Sequence, residues 1–208
     1  RDRLRSRGLG DVYKRQTMHD FASMRALPNL TILAPCDAVQ TEYLTDLLCQ
    51  FTGPVYMRMG RGDVPPVYEA GEKFEIGKIK TVCEGTDATI IACGEMVAPA
   101  KKAAELLQAE GISVRVLDCF TIQPMDTKTV EKALRETRAV VTVEEHSTRG
   151  GLGEAVSHIA AELRGSAPMR LLGLPEEVVI GKSQELFAYY GLTPEGISAA
   201  IKERLECE

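Results

Sequence analysis

The sequence predicts an α/β protein built on mainly parallel sheets, and three observations carry that reading. Short apolar runs of strand length alternate with amphipathic segments of helix length through most of the 208 residues. Strands separated by whole helices need crossover connections, which places neighbouring strands parallel and covers the sheet on both faces. One stretch, from Gly60 to Gly71, breaks the alternation with glycines and Pro65-Pro66, and reads as a linker. The prediction is therefore a truncated α/β unit over residues 17–60, a linker over 61–75, and a complete α/β unit over 76–208.

In the first unit, LTILAP (30–35) is an apolar run stopped by proline. Asp37 and Gln40 form a capping-box pattern, in which carboxylate and amide each satisfy a free backbone group. Val39, Tyr43, Leu47, Leu48 and Phe51 then mark one helical face, which Gly53-Pro54 ends. Val55–Met59 reads as the next strand.

In the second unit, residues 76–83 predict an edge strand and 88–93 a buried one, followed by an alanine-rich helix over 97–110. Gly111 closes that helix where a left-handed residue is wanted. Strand 112–117, helix 127–137, strand 139–143, helix 153–163 and strand 169–174 follow. Thr193 and Pro194 suit the cap and first turn of a final helix.

Apolar residues make up 44% and charged residues 26%, ordinary for a soluble globular protein. No apolar run is long enough to span a bilayer and no secretory leader pattern is evident, so a cytoplasmic protein without a membrane role is expected. Six cysteines are scattered without metal or C-x-x-C spacing, which predicts buried reduced thiols. Residues 1–16 carry six basic and two acidic side chains, against a whole-chain charge of −5. They show no helical period and end where orderly patterning begins. They read as a non-native arm, and are left out of the fold expectation. The acidic remainder argues against nucleic acid as a partner.

Few constellations suggest chemistry. Gly150-Gly151-Leu152-Gly153 follows a strand and opens a helix, where backbone N–H groups can cradle phosphate. The dinucleotide fingerprint fails, since its third glycine would fall on Val156, so a tight turn is expected. Glu144-Glu145-His146 lies at the carboxyl end of that strand. If the strand persists, Glu144 and Glu145 point to opposite faces and cannot act as one pair, so a structural or interface role is expected. His158 falls within an apolar helix pattern and is given no chemical task. Arg58 and Arg61 follow the second strand near glycines, a setting that suits phosphate or carboxylate recognition by a guanidinium fork, although on spacing alone surface arginines of no special role are the better reading. No P-loop, H-E-x-x-H or hydrolase triad signature is present.

Longer stretches resemble the transketolase family. SMRALPNLTILAPCDAVQTEYL (23–44) and GPVYMRMGR (53–61) are similar to the latter half of its pyrimidine-binding domain. The run from Phe74 to Asp126, the phrase VVTVEEHSTRGGLGEAV (140–156) and YYGLTPEGI (189–197) are similar to its C-terminal domain. The likeness covers nearly everything after residue 16, and is greatest to split transketolases whose separate C-terminal subunit carries both domains. Deoxyxylulose phosphate synthase and the beta subunits of 2-oxoacid dehydrogenases share the fold, but MRALPN, YMRMGR and TVEEH favour transketolase.

The resemblance implies an enzyme that moves a two-carbon ketol unit between sugar phosphates with thiamine diphosphate and magnesium. In the family, the diphosphate and metal sit on a glycine-acidic-asparagine motif, and the aminopyrimidine on a glutamate and aromatics upstream. Neither stretch is among these residues, so no catalytic, cofactor or metal residue is expected here, and the isolated chain is expected to be inactive. The family's substrate histidine, in a T-H-Q motif, would fall on Arg15, and His19 stands where the family has glutamate. Arg61 matches the arginine that binds the sugar phosphate, while Arg58 has no such match. A homodimer, or a heterotetramer with an N-terminal transketolase subunit, is implied. The alternatives are a non-catalytic α/β interaction module or a fragment of a synthase-like enzyme.

Overall fold

Every side chain of the strand Ala88–Ala92 is buried, as the apolar run ATIIA requires of a strand covered on both faces. In the computed structural model, which describes residues 18–60, 64–175, 179 and 183–206, this strand lies at the centre of a five-stranded sheet. In chain order the first elements are helix α1 (Asp20–Arg25), strand β1 (Thr31–Leu33), helix α2 (Ala38–Leu48) and strand β2 (Val55–Met57). Then come β3 (Lys80–Cys83), β4 (Ala88–Ala92), a 3-10 turn (Gly94–Met96), α3 (Val97–Ala109), β5 (Val114–Asp118) and β6 (Thr121–Gln123). The chain continues through α4 (Thr127–Glu136), β7 (Ala139–Ser147), α5 (Leu152–Glu162), β8 (Met169–Leu174), α6 (Ser183–Tyr189) and α7 (Pro194–Glu206).

The large sheet has the order β3-β5-β4-β7-β8, parallel except for its edge strand β3. Alternation along β4 sends Ile90 and Ile91 to opposite faces. Ile90 joins Val116, Val141 and the inner faces of α3 and α7, while Ile91 joins Leu117, Val140 and those of α4 and α5. Several caps match the sequence. Gly111 has φ +83°. Thr193 Oγ1 accepts from the Gly196 N–H at 3.3 Å. Asp37 Oδ1 accepts from the Gln40 N–H at 2.8 Å, and Gln40 Oε1 reaches back to the Cys36 N–H at 2.8 Å.

Three features differ from the expectation. Helix α2 buries Gln40 and Leu44, whereas Phe51, expected on its apolar face, stands beyond the helix end and is 36% exposed. Gln40 is drawn inward because its side-chain amide also donates to Asp118 at 2.7 Å. Helix α6 has no counterpart in the expected elements. Neither has β6, a three-residue strand that leaves the large sheet after β5 and pairs antiparallel with β1. Among the described cysteines, all free, Cys36, Cys93 and Cys119 are buried, Cys83 is half-buried and Cys49 is exposed. His158 is exposed and lies 3.8 Å from Glu162 one turn on.

The small sheet has the order β2-β1-β6, with β1 parallel to β2. Strand β1 is thus shared, pairing on one side within the first unit and on the other with the second. Its continuation extends the join: the Ala34 N–H donates to the Phe120 carbonyl at 2.8 Å, and the Gly94 N–H to the Ala34 carbonyl at 3.1 Å. Ile32, at the middle of β1, is fully buried. Ile32→Ala should lower stability by about 2–5 kcal/mol, the usual cost of emptying a core site. Urea unfolding should show it as a lowered midpoint in one transition common to both sheets. Two separated transitions would show instead that the sheets unfold independently.

Candidate functional site at the carboxyl edge of both sheets

Strands β1, β2, β4 and β7 all run out toward one place. Their carboxyl ends surround a cleft of about 320 Å³ whose polar lining is Asp20, Tyr56, Arg58, Glu95 and Glu145, with Gly60 at its wall. Open α/β sheets gather ligands at this edge, because loops diverge there and leave room between them.

Arg58 ties the walls of the cleft together. Its Nε lies 3.1 Å from Asp20 Oδ2, and its Nη1 donates to the Glu145 carbonyl at 2.6 Å. The guanidinium also sits 5.2 Å from the centre of the Phe21 ring, a cation–π distance. The Tyr56 hydroxyl donates to the same Asp20 oxygen at 2.8 Å, and burial followed by this bond pushes its pKa up to about 12. Asp20 is only 3% exposed. Its other oxygen has no hydrogen-bond partner among the described residues and faces His146 Nε2 at 3.7 Å.

The two glutamates give the cleft its acid–base character. Burial first, then the negative charge of Glu95, pushes the Glu145 carboxyl up to about 7, against the opposing pull of Arg58. Burial raises Glu95 as well. A carboxyl that titrates near neutrality can hold or release a proton under ordinary conditions.

Strand β7 persists to Ser147, so Glu144 and His146 share the buried face and Glu145 alone reaches the cleft. Glu144 caps helix α5 from within the fold: its two oxygens accept from the Leu152 and Gly153 N–H groups, each at 2.8 Å. The donors that the glycine-rich turn offered to a phosphate are therefore held by a carboxylate of the same chain. A Cβ at Gly151 would overlap that carboxylate, which is why the turn needs glycine there. Arg25 Nη1 ties α1 to the turn through the Gly150 and Gly151 carbonyls at 2.7 and 3.1 Å. His146 accepts the Phe21 N–H at Nε2 (3.1 Å), hydrogen-bonds the Ser147 carbonyl through Nδ1, and stacks on the Phe21 ring.

Arg61, the one site residue the sequence predicts, lies outside the described residues, as do Arg15 and the rest of 1–17. Gly60, directly before it, packs so closely on Glu95 that a Cβ there would overlap the carboxylate. The resemblance gives Arg58 no role, yet the structure makes it the organising side chain of the cleft. That role depends on Asp20 and Glu145, 38 and 87 residues away in the chain, so no local signal could have shown it.

The described residues do not fit the family's cofactor. Among them, no group of three or more His, Cys, Asp or Glu side chains is placed to hold a metal ion. Among the described residues the cleft sets three carboxylates against one guanidinium, the wrong balance for a diphosphate.

A five-stranded sheet with one antiparallel edge, flanked by helices and open at its carboxyl edge, defines a doubly wound α/β domain. The model of the family described as "Transketolase, C-terminal domain" matches residues 77–197, and the chain belongs to that family. It is 47% identical over 189 residues to one subunit of the apulose-4-phosphate transketolase of Phocaeicola vulgatus, across 90% of this chain and 60% of that protein. It is also 36% identical to a 1-deoxy-D-xylulose-5-phosphate synthase of Chlorobium luteolum, across 88% of this chain but 30% of that protein. A solved structure described as "Split gene transketolase, inactive beta4 tetramer" superimposes with a TM-score of 0.83 at 40% identity, covering 92% of this chain and 62% of that one. The chain thus spans about three fifths of the length of these two transketolase relatives.

The electrostatic reading of the cleft can be tested by NMR titration of the Glu145 carboxyl carbon. Its midpoint should lie near 7, fall in Glu95→Gln and rise in Arg58→Met. Because the folded carboxyl titrates above its unfolded value, its contribution to stability is complete in acid and is lost as pH rises through 7. A midpoint in the ordinary carboxylate range would mean that water reaches Glu145 freely.

Proposed function

We propose that this chain is the C-terminal portion of a thiamine-diphosphate-dependent transketolase, which in the complete enzyme moves a two-carbon ketol unit between sugar phosphates. The observation that carries the reading is the 47% identity over 90% of the chain to a transketolase subunit, joined to the 0.83 superposition on a split-gene transketolase. The likeness to the synthase is lower in identity and covers less of both proteins, which favours transketolase. Thiamine diphosphate and magnesium are assigned to residues beyond this chain, because the described residues suit neither. The reading requires a partner with those residues, in a homodimer of a longer chain or a heterotetramer with an N-terminal subunit. The compartment it assigns is the cytoplasm, where sugar phosphates are interconverted. No described helix is long and apolar enough to cross a membrane.

Within that enzyme the chain supplies a wall of the substrate region, and Arg61 is assigned to the sugar phosphate. A guanidinium fork meets phosphate oxygens in pairs, and such a charge-assisted contact is worth about 2–3 kcal/mol where partly shielded from water. In enzyme reconstituted with an N-terminal subunit, Arg61→Ala should raise KM for phosphorylated sugars about ten- to a hundredfold. Unphosphorylated sugars should be turned over almost unchanged. Arg61→Lys should recover only part of the loss, since an ammonium keeps the charge but not the fork. Equal losses on both substrate classes would remove Arg61 from the phosphate site, and absence of ketol transfer by the reconstituted wild type would overturn the assignment of activity.

A further inference from the structure

A fully enclosed carboxyl outside the cleft lies at the seam between the N-terminal segment and the large sheet. Asp118, the last residue of β5, has no solvent exposure. Three separate stretches of chain converge on it. From α2, the Gln40 side-chain amide donates to Oδ2 at 2.7 Å. From the segment after residue 63, the Tyr68 hydroxyl donates to the same oxygen at 2.8 Å. From the turn before α2, the Cys36 thiol lies against the carboxylate. Oδ1 has no hydrogen-bond partner among the described residues. No described cation pairs with the carboxylate. Lys80, opposite Asp118 in the register of β3, turns instead to Glu72 at 2.7 Å and to the Phe74 ring.

The Asp37 charge makes a charge here more costly, whereas the Cys36 thiol and the Tyr68 hydroxyl ease it as donors. Asp37 bears on Asp118, and burial together with the Asp118 charge raises the thiols of Cys36 and Cys119 and the hydroxyl of Tyr68 well above their usual ranges. Cys93, next after β4, feels the same charge more weakly. Asp37 is a satisfied carboxylate by comparison. It accepts the Gln40, Val67 and Tyr68 N–H groups at 2.8, 2.9 and 2.9 Å, and so ties α2 to the 64–70 segment through their backbone.

We propose that Asp118 is a proton-controlled latch, fastening α2 and the 64–70 segment to the large sheet when its carboxyl carries a proton and slackening when it ionises. The Gln40, Tyr68 and Cys36 donors favour the charged form, but burial outweighs them and pushes the pKa up to about 7. An exposed aspartate titrates far lower, so any opening that lets water reach Asp118 releases its proton between those values. Opening is therefore hardest below the open-state value, becomes easier as pH rises toward 7 and levels off above it. For a carboxyl near 7 when closed and near its usual value when open, the opening equilibrium grows about thirtyfold from pH 5.5 to pH 8. The segment so fastened lends Val64, Pro65, Pro66 and Val67 to a second cleft, lined also by Glu95.

Hydrogen exchange on the 208-residue chain, corrected for the intrinsic pH dependence of exchange, reads this directly. Protection of the Gln40, Val67 and Tyr68 amides should fall about thirtyfold between pH 5.5 and 8, levelling off above 7. Asp118→Asn should flatten that dependence and Glu145→Gln should leave it in place. Should Asp118→Asn fail to fold, Tyr68→Phe decides the matter. Removing a donor to the carboxylate must shift the levelling point upward, and an unmoved point counts against the latch. Protection that is independent of pH, or a dependence that survives Asp118→Asn or vanishes with Glu145→Gln, would overturn the proposal.

Discussion

Most of this structure depends on the double pairing of β1. Three residues, Thr31–Leu33, form the middle of the small sheet, with β2 on one side and β6 on the other. Because β6 follows β5 of the large sheet by only two residues, this pairing fixes where the small sheet stands. Ala34 then hydrogen-bonds Phe120 and Gly94, closing the seam at the end of β4. A strand this short has little to offer alone, so its order comes from neighbours on both edges and from burial of Ile32 and Leu33.

The cleft follows from that seam. With β1 and β4 joined, the carboxyl ends of two parallel systems face each other, and the side chains leaving them meet. Arg58, just after β2, reaches both Asp20 on α1 and the backbone of Glu145 on β7, although the three are distant in sequence. Glu95 and Glu145 thereby enter a poorly hydrated space beside the Arg58 guanidinium, where burial and then Glu95 raise the proton affinity of Glu145 against the pull of Arg58. On the buried side of β7 the same alternation commits Glu144 to the end of α5. One strand thus carries a structural glutamate and a cleft glutamate side by side.

Most of the large sheet is legible in the sequence, because each of its elements is long enough to show a period and bounded by a residue with a clear conformational reason, such as Gly111 or Thr193. The two-face reading of Glu144 and Glu145 is conditional on the persistence of β7, and the strand does persist. Strand β6 is not legible. Thr121–Gln123 is too short for alternation to register, and its pairing with β1 is a long-range event. The inward turn of Gln40 escapes local reading for a similar reason, since its partner Asp118 lies in another unit. Local patterns show the glycine-rich turn as a tight turn but not its occupant, which is Glu144 from the preceding strand. Arg58 cannot be told from a surface arginine until the fold supplies Asp20.

On the proposed reading, these residues form one wall of a transketolase active site whose cofactor is anchored elsewhere. Calorimetric titration of the 208-residue chain with thiamine diphosphate and magnesium tests this most directly. No saturable heat is expected at micromolar concentrations, since the cleft is acidic and no described carboxylate cluster suits the metal. Saturable binding of one cofactor per chain would contradict it.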